Sequence, residues 1–153
     1  MPDRPFVPAG FAVPGGLTTA EFRLEPLGPQ HNAADYAAWT ASMDHIRATP
    51  GFAGWGWPEP MSLAENERDL ERHAADFADR SGFTYTVLAA AGGEVIGCVY
   101  IYPPRGAAGD GRAVVRSWVR ADRAGLDPVL YRAVRGWLDD SWPFQSLDYA
   151  SRD

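Results

Sequence analysis

Between Phe83 and Ala89, Phe83, Tyr85 and Val87 alternate with Thr84 and Thr86. A period of two in β-branched and aromatic residues predicts a strand. Gly92-Gly93-Glu94 then turns the chain, and the more apolar Val95–Tyr102 predicts a second strand returning beside the first. Pro103 and Pro104 end it, and a polar, glycine-rich loop, Arg105 to Gly111, follows. Val114, Val115, Trp118 and Val119 mark another strand over Arg112 to Arg120. Earlier, Phe22, Leu24 and, after Pro26, Leu27 alternate with charged residues and predict a first strand over 21–27.

Three segments change period. Asn32-Ala33-Ala34-Asp35 reads as a helix start, and Tyr36, Trp39, Met43 and Ile46 continue it as one apolar stripe. Ser62-Leu63-Ala64-Glu65 is a capping box, in which the Ser hydroxyl and the Glu carboxylate satisfy each other's backbone N–H groups. The helix beyond it sets Leu63, Leu70, Ala74 and Phe77 against a charged, solvated face. Asp127-Pro128 predicts a third start, with Asp127 as N-cap and Pro128 as first helical residue. Leu130, Ala133, Val134, Trp137 and Leu138 are its apolar face, Trp142-Pro143 its stop, and Gln145 to Ala150 a last short strand.

The predicted order is β-α-α-β-β-β-α-β. Three strands in succession imply antiparallel pairing, and the helix after them returns the chain to a strand parallel to the fourth. The fold class is therefore α/β (α+β): a mixed sheet with helices on both faces. Residues 1–19, broken by four prolines and three glycines, read as an extended arm that packs on the domain or on a partner. Residues 20–153 read as a single domain.

Composition narrows the chemistry. The net charge is −6, which argues against a broad grip on nucleic acid or anionic membrane. All 14 basic residues are arginine, so no lysine is available as a Schiff-base or phosphate-gripping group. Cys98 stands alone, and no segment approaches the ~20 apolar residues of a membrane span. The N-terminal breakers also exclude a signal-peptide helix, so the expected location is cytoplasmic. His31, His45 and His73 have no partner at metal-ligand spacing and read as structural; no metal is expected. Cys98, in an apolar strand, reads as a core residue.

This element order resembles that of the GNAT superfamily of acyl-CoA-dependent N-acyltransferases. The hairpin Phe83–Leu88 with Gly93-Glu94-Val95-Ile96-Gly97 is similar to the family's second and third strands, and Ser117-Trp118-Val119-Arg120 to its fourth. The resemblance covers about residues 20 to 150 and implies an acetyl-CoA pyrophosphate held at the N-terminus of the helix after the fourth strand. It also implies a pantetheine chain between splayed fourth and fifth strands. On this chain the implied cofactor contacts are Val119 and Arg120, with Arg123, Ala124, Gly125 and Leu126 cradling the phosphates.

Two departures stand out. Asp122 replaces the family's Gln or Arg, and Asp127 replaces its second small residue; both are expected to weaken acetyl-CoA binding. The chain also ends about where the fifth strand finishes, and Tyr149 does not match the family's thiolate-protonating tyrosine. A homodimer that covers the exposed edge strand is the expected consequence.

Trp55 and Trp57, in the Gly/Pro-rich loop Thr49 to Pro60, are either an aromatic wall for an acceptor or anchors pinning that loop. Trp118 is placed where the fourth strand meets the acyl group. Tyr100 and Tyr102 share a face and read as packed. Three functions remain open: acyl transfer to a small amine, a catalytically degenerate GNAT-like binding or interaction module, and a binder of an aromatic small molecule at Trp55, Trp57 and Trp118. No catalytic acid or base is singled out.

Overall fold

The computed structural model describes residues 5–105 and 111–152. Most of the glycine-rich Arg105–Gly111 loop therefore lies outside the described residues. Six strands form one sheet in sequence order: β1 (Leu17–Thr18), β2 (Phe22–Pro26), β3 (Phe83–Ala89), β4 (Val95–Tyr102), β5 (Arg112–Val119) and β6 (Ser146–Tyr149). All neighbours are antiparallel except β5 and β6, which run parallel. The helices are α1 (Asn32–Thr40), α2 (Met43–Ala48), α3 (Leu63–Asp79) and α4 (Asp127–Ser141).

The alternation read in the sequence becomes two separate cores. From β3, Phe83, Tyr85 and Val87 face α4, which supplies Leu130, Val134, Trp137 and Leu138. The opposite face carries Leu88, Cys98, Tyr100 and Trp118, covered by Trp39 of α1, Ile46 of α2 and Leu70 of α3. Every residue of β3 is buried because both faces of the strand are covered.

The arm packs on its own domain. Phe6 and Val7 join the α4-side core, and Phe11 lies against Trp142 with ring centroids 5.4 Å apart. Arg80, the left-handed C-cap of α3, donates from Nη2 to the carbonyls of Pro8 (2.7 Å) and Phe11 (2.9 Å). Tyr85 Oη donates to the Pro14 carbonyl at 2.6 Å, and Leu17–Thr18 adds a strand the sequence pattern did not predict.

Two helical expectations need correction. The Tyr36–Ile46 stripe is not one helix: it breaks at Ala41-Ser42 into α1 and α2. Ser42 is buried and its Oγ accepts the backbone N–H of Ala121 at 2.9 Å, so a distant loop fixes the break. Asp127 is not the N-cap of α4. A 3-10 turn, Ala121–Leu126, leads into the helix, Leu126 takes the cap position without a side-chain bond, and Asp127 faces a different partner. The capping box at Ser62 forms as expected, with Ser62 Oγ accepting from Glu65 N at 3.1 Å and Glu65 Oε1 from Ser62 N at 3.0 Å.

Gly97 sets the spacing of the sheet where β4 meets the end of β5. A Cβ there would lie 2.4 Å from the Trp118 carbonyl oxygen, so only glycine allows the approach. Beside it the β3–β4 register jumps, with Val87 opposite Gly97 but Leu88 opposite Val95; the extra residue is a bulge.

Candidate functional site

Two regions carry chemistry. The first is the end of β5. Its pairing with β6 stops at Val115 and Tyr149, while β5 runs on to Val119, so the two strands part beyond that point. Arg152 fills the gap. Its Nη2 donates to the Ser117 carbonyl (2.8 Å), Nη1 to the Ala150 carbonyl (2.6 Å) and Nε to Asp127 Oδ2 (2.8 Å). The Arg152 side chain is 3% exposed and that of Asp127 17%, so this is a buried ion pair at the start of α4. Ser117 Oγ and Tyr149 Oη, 2.6 Å apart, close the gap from the α4 side, and burial pushes the Tyr149 phenol well up.

The loop between β5 and α4 is satisfied from within. Ala121 N–H bonds Ser42 Oγ, Arg123 N–H bonds the Arg120 carbonyl, and Asp127 N–H bonds that of Ala124. Arg120 is chelated by Asp122 (Nε to Oδ1 2.9 Å, Nη2 to Oδ2 2.6 Å), which holds the Asp122 carboxyl below its usual range. Glu94 accepts from Arg123 Nη2 at 2.5 Å and lies 3.5 Å from Arg120 Nη1. A cleft of about 690 Å³ beside this loop is lined by Ala34 and Ala37 of α1, by Ala41 just after it, and by the carboxylates of Glu25, Glu94 and Asp122.

These residues do not fit a bound acyl-CoA as they stand. The slot holds a guanidinium, a carboxylate sits where the helix would meet phosphate, and both loop arginines already face carboxylates. Of the six residues the sequence assigned to the cofactor, Val119 is buried in the α4-side core. Arg120, Arg123, Ala124, Gly125 and Leu126 come together in one turn. Apart from Gly125's own neighbours in the turn, no described atom lies within 4 Å of where its Cβ would sit, so that stretch is open to approach.

The second region is an aromatic basin on the α1–α3 face. Trp55, Trp57 and Tyr100 meet pairwise at 64–73°, with centroids 5.4–6.2 Å apart. Arg116, tied through Nε to the Gly51 carbonyl at 2.8 Å, lies 4.6 Å over the Trp55 ring. Trp118 does not line the basin. It is fully buried, donates from Nε1 to Tyr100 Oη at 2.9 Å and supports the wall from behind. The site reading of Trp118 is corrected on that ground.

An inner pocket of about 120 Å³ lies among Trp55, Trp57, Tyr100, Leu70, Asn66 and Asp35, and opens toward Asp69, Arg72 and His73. Asp35 is 4% exposed. Asn66 Nδ2 donates to it at 3.2 Å and to Asn32 Oδ1 at 2.8 Å, while Asn66 Oδ1 accepts from Trp39 Nε1 at 3.1 Å. Burial raises the Asp35 carboxyl to about 6, against the smaller lowering effect of Asn66. An outer basin of about 590 Å³ shares Trp55, Arg72, His73 and Tyr100 with it and adds Tyr102, Arg105 and Arg116.

His73 Nδ1 lies 2.8 Å from Thr84 Oγ1 and 2.9 Å from Tyr102 Oη, and Tyr102 Oη donates to Asp76 Oδ2 at 2.8 Å. Burial, helped by Arg72, pushes the His73 imidazole down to about 4, so the ring is neutral at neutral pH. Sequence reading gave His73, Tyr100 and Tyr102 structural roles and did not single out Asp35 or Asn66. The signals available were three polar residues, Asp69, Arg72 and His73, beside Leu70 on one helix, and a tyrosine pair two apart on one strand.

No protein-family model matches the chain, and neither does any curated protein. Solved structures do match, and they are acetyltransferases of the GNAT type. RimL, a ribosomal L7/L12 alpha-N-protein acetyltransferase, superposes with a TM-score of 0.63 at 12% identity, over 87% of this chain and 67% of that one. The microcin C7 self-immunity acetyltransferase MccE, in complex with acetyl-CoA and AMP, gives 0.62 at 12% identity, over 84% and 67%. A GCN5-related N-acetyltransferase from Brucella melitensis gives 0.61 at 19% identity, over 84% and 56%. The fold is therefore that of the GNAT acetyltransferases, as the element order implied. The chain spans about two thirds or less of the length of these proteins. No described helix is long and apolar enough to cross a membrane, and no described cluster of His, Cys, Asp and Glu could hold a metal ion.

Proposed function

We propose that this chain is a GNAT-fold protein that binds a small molecule in the Trp55–Trp57–Tyr100 basin and does not run ordinary acyl transfer. One observation carries this reading: Arg152 occupies the gap between β5 and β6 and is locked there by Asp127. To admit a pantetheine chain the protein must break a buried ion pair and uncover the Ser117 and Ala150 carbonyls. The aromatic basin is already formed. Steady-state assay with acetyl-CoA across a panel of amines, read as released thiol, tests it; the expected rate is that of the enzyme-free control. Sustained turnover on any amine sinks the reading.

A second reading, N-acyl transfer from acetyl-CoA to a small amine, is favoured by the parted strands and by the clear approach to Gly125. Under it, Arg120, Arg123, Ala124, Gly125 and Leu126 hold the phosphates once Arg152 has moved away. Pairing of two copies through β6, one of the two edge strands of the sheet, accompanies either reading. Light scattering on a sizing column should then give twice the 16.7 kDa chain mass.

A further inference from the structure

Asp35 is hard to explain as a structural residue. A carboxylate buried to this degree is costly unless paired with a cation or richly hydrogen-bonded. Its partner is one neutral amide, Asn66, and the nearest cation lining the same pocket, Arg72, lies 3.4 Å from Asp69. The charges around the pocket are therefore two carboxylates and one guanidinium, with His73 uncharged at neutral pH. The remaining walls are aromatic or apolar: Trp55, Trp57, Tyr100, Leu27 and Leu70.

We infer that the inner pocket is a cation site for a compact methylated ammonium group, held between the Asp35 carboxylate and the faces of Trp55, Trp57 and Tyr100. This names a ligand class for the basin and rests on the basin being the working site. Three lines of chemistry favour it over a primary ammonium. A primary ammonium needs several hydrogen-bond acceptors, and of the two carboxylates lining this pocket only Asp35 is buried, with Asn66 committed to Trp39 and Asn32. A quaternary ammonium needs none and is attracted by ring faces. Rings set at steep angles to each other form the walls of such a cage, and the Arg116 guanidinium, tied to the Gly51 carbonyl, already lies 4.6 Å over Trp55.

The volume agrees. About 120 Å³ takes a head group of a few heavy atoms and no more. The rest of the ligand extends into the outer basin, where Arg72, Arg105 and Arg116 outnumber the Asp76 carboxylate and favour an anionic tail. A quaternary nitrogen has no N–H to acylate, so binding of such a ligand is independent of acyl transfer.

The test is calorimetric and fluorescence titration with choline, phosphocholine and 3,3-dimethylbutan-1-ol, which has the shape of choline with carbon in place of the charged nitrogen. Choline should bind saturably and at least tenfold more tightly than the neutral alcohol, a difference of ~1.4 kcal/mol or more. Phosphocholine should bind more tightly than choline. Asp35→Asn should lose at least tenfold of the choline affinity and leave the alcohol unchanged, and circular dichroism on the same sample shows that the variant is folded. The inference is overturned by equal binding of choline and the alcohol, or by an unchanged D35N affinity. Absence of any saturable signal up to roughly 50 mM, under ~2 kcal/mol of binding, overturns it as well. Failure here leaves the closed acyl-CoA slot untouched, because that is read out separately by acetyl-CoA.

Discussion

Arg152 Nε lies 2.8 Å from Asp127 Oδ2, and this pair joins the end of the chain to the first turn of α4 across the gap between β5 and β6. Each partner explains the other. Asp127 takes no capping role, and Arg152 reaches a position with 3% exposure only because a carboxylate and two carbonyls receive it. Asp127 Oδ1 is buried without a partner, so the carboxylate depends on Arg152 for its compensation.

Removing one member should therefore cost more than removing both. Arg152→Ala leaves a buried carboxylate and two buried carbonyls, with an expected loss of ~3 kcal/mol. The double variant R152M/D127L should recover at least half of that loss. Urea unfolding of the two single variants and the double variant measures the coupling; an R152A loss of less than ~0.5 kcal/mol would show that the pair does not hold the gap closed.

Asp35 should make the protein more stable in acid than at neutral pH, taken alone. Its folded value, about 6, exceeds the unfolded value of 3.8. Between these the folded state binds more protons, so its contribution is fully present below about 3.8 and lost as pH rises through about 6. The loss amounts to ~3 kcal/mol. Asp35→Asn removes the charge, so the variant should unfold several degrees higher than the parent at pH 8 and with no difference near pH 3.5. Equal melting temperatures at pH 8 would contradict this. A charge kept against stability is what a binding site requires.

His73 works in the opposite sense. Its folded value, about 4, lies below the unfolded 6.5, so the unfolded state binds more protons in that window and stability falls as pH drops from 6.5 to 4. In the parent chain the Asp35 gain and the His73 loss nearly cancel there. In D35N only the His73 slope remains, and D35N/H73Q should be flat. Denaturant midpoints of the parent, D35N and D35N/H73Q at pH 7 and 4.5 read this directly; a parent as steep as D35N would refute the cancellation. Asp69, Asp76 and Arg72 act on His73 in both the parent and D35N, so the comparison of those two is internal.

Gly97→Ala should be disproportionately damaging for one methyl group. The new Cβ would meet the Trp118 carbonyl at 2.4 Å, and β4 and β5 must separate to admit it. The expected loss is ~1–3 kcal/mol, measured by thermal unfolding. A neutral effect would mean that the bulge at Ile96-Gly97 relaxes freely.

The fold was legible wherever local chemistry and burial agree. The Phe83–Val87 alternation, the Ser62–Glu65 box and the Leu130–Leu138 stripe are each set within a few residues, and all three formed. What was not legible depends on partners far along the chain. The α1–α2 break is fixed by Ser42 meeting Ala121, and Asp127 leaves its expected cap because Arg152 arrives 25 residues later. Residues 120–126 come together in one turn before α4, yet the charges of that turn are spent on Glu94 and Asp122, a pairing that spacing alone does not reveal. Asp35 looked like an ordinary first-turn acid; only the stacking of α1 against Asn66 of α3 buries it.

The most direct measurement is a calorimetric titration of the intact chain with acetyl-CoA and with CoA. A slot occupied by Arg152, with its loop arginines paired, predicts no saturable heat up to millimolar ligand. Binding at micromolar affinity, ~8 kcal/mol or more, would contradict the account and make acyl transfer the working function.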